Sequence, residues 1–395
     1  MRTENGQIIH LADYRQTDFV LERVDLTFEL DPTETKVEAR LIFHRREGVD
    51  VNAPLVLDGD ELVMTGLLFD QMELDAARYD ADLFSRWQAL NDLALPNLVE
   101  AARKARAGEP VETNAVLADT LIAIAGDEAL EPAFRAQALA LPSESDIARE
   151  LGSNNDPDAI RTGREAVLAF VANRDPAVFA TLFERHQLQG AFTPDAAGAG
   201  HRALRNAALA YLAVADGTPA RAAQAFAAAD NMTDLSAALT VLAHRFPDAA
   251  ETAHALETFR ARFADNALVI DKWFSIQSTI PGDGALARVK ALMTSPHFNK
   301  SNPNRVRALV GTYAFSNPTG FNRADGEGYR FLADQILEID PKNPQLAARI
   351  LTSMRSWRAL EDVRSDHARN ALRAIAAGEK LSSDVSDIVE RMLKG

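Results

Sequence analysis

The residue types that could do chemistry are few, and their spacing excludes more than it allows. The eight histidines are His10, His44, His186, His201, His244, His254, His297 and His367. A hydrolytic zinc centre on a helix needs two imidazoles at i and i+4, so that both face one side. A Glu beside the first takes the proton of the metal-bound water. No two of these histidines are four apart; His244 and His254, the nearest in sequence, are ten apart, and neither is followed by Glu. Cysteine is absent, which removes thiolate metal sites, a Cys nucleophile and disulfides, and fits a reducing compartment. A Ser–His–Asp set can be picked from any chain this long, but no G-x-S-x-G is present. Ser365, Asp366 and His367 fall together on a helix that reads as exposed, and a triad is defined by geometry rather than composition. The glycine pairs of GDGAL (282–286) and ADGEGY (324–329) follow no strand, so they make poor phosphate-binding turns.

Charge and length narrow the partners. The chain has 395 residues and a net charge of -15, which argues against nucleic acid, since a phosphate-backbone binder needs a basic face. The opening MRTENGQIIHLADYR has no apolar run of the signal-peptide kind, and no run of 18 apolar residues occurs, so no membrane partner and a cytoplasmic location are expected.

The elements that would position any site are of two kinds. Val24, Leu26, Phe28 and Leu30 alternate with polar residues, as do Val37, Ala39, Leu41 and Phe43 after the turn-like DPTET (31–35). Period two on both sides of a short turn predicts a hairpin with one buried face. PLVLDGDELVMTGLLF (54–69) predicts a second pair of strands joined near Asp58-Gly59-Asp60. From about residue 72 the period becomes helical, and residues 201–230 alone hold 13 alanines. Prolines such as Pro132, Pro157, Pro176, Pro303 and Pro344 recur near expected helix starts or ends. The expected fold is mainly α: an irregular α-solenoid of helical repeats over residues 72–395, preceded by a small antiparallel β-sheet fragment over residues 1–71. Trp87, Trp273 and Trp357 lie in helical apolar patterns and are expected to anchor cores.

One stretch departs from this alanine-rich background. NKSNPNRVRALVGTYAFSNPTGFNRADGEGYRF (299–331) gathers five Asn, two Pro, four Gly and five basic residues. Helix punctuation explains most of it: a cap at 301–303 before a helix over 305–315, a turn from Asn317 to Gly328, then helices over 329–339 and 345–354. The arginines fit less well. Arg305 and Arg307 sit in a first turn, where the helix dipole disfavours cations, and Arg349 is flanked by Ala347, Ala348, Ile350 and Leu351.

Several of these segments together resemble the bacterial aminopeptidase N family. LADYRQTDFVLERVDLTFELDPTETKVEARLIF (11–43) and APLVLDGDELVMTGLLFD (53–70) are similar to the opening strands of its N-terminal β-domain. FSRWQALNDLA (84–94), LALPSE (139–144), the stretch 299–331, LADQILEIDPKNPQLAARI (332–350) and LSSDVSDIVERML (381–393) are similar to its C-terminal helical domain. Between Asp70 and Asp80 the resemblance passes directly from the one to the other.

That resemblance implies a zinc-dependent peptidase family, yet the zinc motif is missing here. So is the family's Gly-x-Met-Glu-Asn anchor for the peptide amine, because Met72-Glu73 continues to Leu74. The expectation is an internally deleted, non-catalytic relative with no cofactor on this chain, binding peptides or a full-length aminopeptidase, or associating with itself through the β-fragment. The other reading is a zinc aminopeptidase whose catalytic domain comes from another chain or a longer gene. By the same resemblance, Arg307 and Arg349 match positions that point into the peptide-binding chamber, where a guanidinium suits carboxylate and carbonyl groups. Internal bridges to Asp325, Glu327 or Asp340 are the alternative for these arginines.

Overall fold

A lone hairpin makes up the described part of the first of two units, residues 1–65. This is a computed structural model that describes residues 17–31, 35–46, 48–49, 67–69, 72–74, 76–80, 82–188, 190 and 192–394. Strands β1 (Phe19–Glu29) and β2 (Lys36–Arg45) pair antiparallel, with Val24, Leu26 and Phe28 opposite Leu41, Ala39 and Val37. The alternation in the sequence therefore gives the register. A bulge at Glu22 then brings Leu21 opposite Phe43, so an odd-numbered residue joins the face of even-numbered Val24. The apolar face differs from expectation in burial: Leu26 and Phe28 are 51% and 56% exposed. Two strands have no second layer of their own to bury a face.

The second unit, residues 66–395, begins with a short hairpin, β3 (Leu67–Phe69) against β4 (Met72–Leu74). Of the segment expected as a second strand pair, 54–69, residues 54–66 lie outside the described residues. Among the described residues, helices follow without further strands. The first eight are α1 (Ala76–Tyr79), α2 (Leu83–Ala107), α3 (Ala115–Gly126), α4 (Pro132–Ala138), α5 (Glu144–Leu151), α6 (Pro157–Arg174), α7 (Pro176–Arg185) and α8 (Ala196–Asp216). Then come α9 (Ala220–Ala228), α10 (Met232–Arg245), α11 (Ala250–Arg262), α12 (Ala267–Ser278), α13 (Ala285–Leu292) and α14 (Pro303–Val306). The last are α15 (Thr312–Ser316), α16 (Pro318–Phe321), α17 (Glu327–Ile339), α18 (Pro344–Leu351), α19 (Asp362–Ala376) and α20 (Ser383–Lys394).

Local chemistry sets these boundaries. Proline opens α4, α6, α7, α14, α16 and α18, where its missing N–H costs nothing. Side chains of Asp82, Asn114, Asp156, Asp195, Asn231 and Asn266 accept from first-turn N–H groups, and Ser143 with Asp146 forms a capping box on α5. Gly217 ends α8 at φ 63°, a conformation glycine adopts without steric cost.

Successive helices pack as a solenoid, with α2 on α6, α6 on α8, α8 on α10 and α10 on α12. The central helix α8 serves two cores. Leu204, Ala208, Tyr211 and Leu212 belong to the one built from α1 to α8, and Leu209 and Ala213 to the one running on to α20. Tyr211 also ties down the LALPSE segment: its hydroxyl donates to the Leu139 carbonyl at 2.7 Å, while Arg164 donates to the carbonyls of Leu141 and Pro142. Trp273 and Trp357 are buried and donate to the Leu256 and Met392 carbonyls; Trp87 is only half-buried, a departure from the expected core anchor.

A second link joins distant parts of the solenoid. Asn155, just before α6, exchanges backbone hydrogen bonds with Ala359 (2.8 Å) and Glu361 (3.0 Å). Beside it Arg364 on α19 is 5% exposed. Its guanidinium meets Asp156 at 3.3 Å, Glu361 at 2.8 Å, Asp158, and the Asn322 carbonyl. Removing one side of a buried, hydrogen-bonded charge set costs about 3–5 kcal/mol, because the partners are left without compensation. Arg364→Met is expected to destabilise the chain by about that amount, and Arg391→Met, at an exposed pair, by under about 1 kcal/mol. Urea unfolding of the two variants beside the parent checks this.

His244 on α10 reports on the same packing. Its Nε2 lies 2.9 Å from the Thr279 hydroxyl, and burial pushes its pKa down to about 4, with Arg161 and Arg245 adding to the effect. The folded state therefore holds the proton less tightly than the unfolded chain, so stability is complete above about pH 6.5 and is lost as the pH falls toward 4. The loss attributable to His244 is about 3 kcal/mol. His244→Gln should flatten the fall in urea midpoint between pH 7 and pH 4.5; an unchanged slope contradicts the assignment.

Candidate functional site

The Asn- and Gly-rich stretch folds into a tightly hydrogen-bonded turn. Asn302 caps α14 through the N–H groups of Asn304 and Arg305. Asn317, 2% exposed, donates to the carbonyls of Ser278 (2.8 Å) and Ile280 (2.9 Å) and accepts from Gly320 N–H (3.0 Å). One amide thus ties α16 to the end of α12. The Tyr313 hydroxyl donates to the Gly320 carbonyl, and Tyr329 to Asn322 Oδ1 at 3.0 Å; burial pushes both phenols upward. At Gly328 a Cβ would sit 2.0 Å from the Phe321 carbonyl oxygen, so only glycine allows α17 to approach.

Where one continuous helix is expected over 305–315, the chain instead makes a π-helical turn, Arg307–Gly311, between α14 and α15. The widened turn is held by specific donors. The Thr312 hydroxyl donates back to the Arg307 carbonyl (3.1 Å), and the Ser275 and Ser278 hydroxyls on α12 reach the Ala308 carbonyl at 3.2 and 3.4 Å. Such turns often mark functional positions.

Its first residue is Arg307, which is exposed and donates to Asn304 Oδ1 at 2.8 Å. Arg305, two residues earlier, turns inward instead: it is 7% exposed, pairs with Asp271 at 3.0 Å and lies 5.3 Å from the Phe274 ring centroid. Burial raises the Asp271 pKa, opposed by the Arg305 charge. The second arginine, Arg349, is exposed on α18 between buried Ala348 and Ile350. Among the described residues neither Arg307 nor Arg349 pairs with a carboxylate. The carboxylates considered as internal partners are engaged elsewhere: Asp325 with Arg323, which holds its pKa down to about 2, Glu327 with Arg330, and Asp340 with the Ser382 N–H and hydroxyl. Arg307 and Arg349 are thus two unneutralised guanidinium groups on separate elements, carried by well-packed helices.

No group of three or more His, Asp or Glu side chains that could hold a metal occurs among the described residues. Ser365 donates to the Asp362 carbonyl rather than to His367. One histidine contact escapes sequence reasoning. His186 and His201, fifteen apart, bring their Nδ1 atoms to 2.7 Å, because the connection from α7 to α8 folds back on itself. Among the described residues no single helix is long and apolar enough to cross a membrane.

The comparisons with known proteins agree with the helical architecture. Residues 70–394 match the family model described as "Domain of unknown function (DUF3458_C) ARM repeats". The chain belongs to this family. It is 39% identical over 317 residues to aminopeptidase N of Caulobacter vibrioides, covering 80% of this chain and 36% of that protein. Against aminopeptidase N of Escherichia coli it is 32% identical, over 82% of this chain and 37% of the relative. A solved structure of Legionella pneumophila aminopeptidase A in complex with aspartic acid superposes with a TM-score of 0.72 at 27% identity, over 81% of this chain and 38% of that one. The DUF3458_C chain therefore spans between a third and two fifths of the length of these relatives.

The roles of these polar residues separate in a stability experiment. Asn317→Ala leaves two buried carbonyls and one N–H without partners and should cost about 2–3 kcal/mol, whereas Arg307→Ala removes an exposed side chain and should stay within about 0.5 kcal/mol of the parent. Thermal unfolding monitored by circular dichroism compares them. A large loss for Arg307→Ala would make that residue structural.

Proposed function

We propose that this chain is a non-catalytic, internally deleted relative of aminopeptidase N that acts in the cytoplasm as a weak peptide-binding or interaction module. The observation that carries this reading is the pair of exposed, carboxylate-free guanidiniums of Arg307 and Arg349 on a DUF3458_C helical domain. A planar guanidinium takes a carboxylate or peptide carbonyl with two N–H donors, and it gains most where no internal acid competes. Supporting the non-catalytic part, the sequence contains no pair of histidines at i and i+4 and no Met-Glu-Asn anchor for a peptide amine. The partners in this reading are short peptides with a free carboxylate, or a full-length aminopeptidase. In the second reading a zinc-bearing catalytic domain supplied by another chain makes the assembly a metallo-aminopeptidase, favoured by the 39% identity to an aminopeptidase N.

Fluorescence anisotropy with short peptides labelled at the amine and free at the carboxylate tests the binding reading. Saturable binding is expected, weakened about tenfold, or about 1.4 kcal/mol, by Arg307→Ala or Arg349→Ala. Binding that is absent, or unchanged in the double variant, would remove these residues from the site.

A further inference from the structure

Between the end of α7 and the first turns of α8 lies a pocket of about 370 Å³. Two arginines one helical turn apart, Arg202 and Arg205, line it. Arg202 is 5% exposed; its Nη2 donates to the Thr193 carbonyl at 3.2 Å, its Nε has no partner, and its guanidinium lies 4.6 Å from the Phe192 ring centroid. Arg205 donates to the Phe183 carbonyl at 3.2 Å and lies 4.1 Å from that ring's centroid. Neither has a carboxylate within ion-pair distance among the described residues; burial works against the charge on Arg205, opposed by the charge of Asp234.

Three carboxylates line the same pocket without closing on these arginines. Asp195 accepts from the Thr193 hydroxyl and the Gly198 N–H. Asp234 accepts from the amides of Asn206 and Asn231, and Asp230 from Asn231. All their hydrogen-bond donors are neutral. Elsewhere in this chain arginines do close on carboxylates, as Arg174 on Asp119 and Arg221 on Asp216. Together with the Thr193 and Gly198 hydrogen bonds, the Arg202 charge still helps to hold the Asp195 carboxyl below its usual range. Even so, two cations and three anions that share one cavity without direct ion pairs suit a ligand that carries both signs. A bare oxyanion would gain two guanidiniums but meet three carboxylates, and a bare cation the reverse, whereas a zwitterion can set each sign against its opposite. The pocket size suits a small molecule, and Leu188, Ala225 and Ala228 add apolar wall.

We propose that this pocket binds a small zwitterion, a free amino acid or dipeptide, with its carboxylate on Arg202 and Arg205 and its ammonium toward Asp195 and Asp230. The site is independent of Arg307 and Arg349 and of the function proposed above. Calorimetric titration of the full chain with leucine, N-acetylleucine and leucinamide tests it, the last two lacking the ammonium and the carboxylate respectively. Leucine saturates, and each analogue binds about tenfold or more weakly. Arg205→Gln and Asp230→Asn each weaken leucine by about the same factor, with the melting temperature of the exposed Asp230→Asn unchanged, while Arg307→Ala has no effect. The proposal is overturned if leucine gives no saturable heat, if either analogue binds as well as leucine, or if folded Asp230→Asn binds like the parent.

Discussion

The helical unit depends on one buried cation. Arg364 on α19 collects the carboxylates of Asp156 and Asp158 at the start of α6, of Glu361 that caps its own helix, and the Asn322 carbonyl from the polar turn. A solenoid of nearest-neighbour contacts has no intrinsic reason to bring residue 156 to residue 364. The guanidinium supplies one, because its planar fork can satisfy several acceptors from different segments at once, which a lysine could not do in the same geometry. The backbone bridge at Asn155 lies beside it, and Trp357 packs in the adjoining core. The turn that holds Asn317, Asn322 and Tyr329 is thereby fixed against both the early helices and α19.

From that turn the path to function is short. The Ser275 and Ser278 hydroxyls hold the carbonyl of a π-helical turn, and that turn presents Arg307 outward while Arg305 is drawn in to Asp271. Two arginines two residues apart thus have opposite fates. One carries packing, and the other is left with a neutral partner and free donors. In the function we propose, a rigid scaffold bearing unneutralised guanidiniums would bind a carboxylate or carbonyl with little ordering left to do when the ligand arrives.

Much of this was legible in the sequence, for physical reasons that differ by element. Period-two alternation gave the β1–β2 register, and proline after Asn or Asp marked the starts of α6, α7, α14 and α18, because both signals act locally. The helical-repeat class and the aminopeptidase N resemblance were legible too. Burial of the hairpin face was not, since alternation says which residues share a face but not whether a layer covers it. The π-helical turn was hidden because it depends on Ser275 and Ser278, some thirty residues away in sequence. The Arg364 cluster and the His186–His201 contact were hidden for the same reason: each is made by segments whose proximity is a product of the fold. At Arg202 and Arg205 the spacing gave a shared helix face, but the absence of paired acids is visible only in three dimensions.

The central proposal is that this chain alone is a peptide-facing scaffold without hydrolytic chemistry. Metal content and aminopeptidase turnover, measured on the same purified sample with an amino-acid anilide, test it most directly. The account predicts no stoichiometric zinc and no hydrolysis. One zinc per chain, with turnover abolished by a chelator, would contradict it.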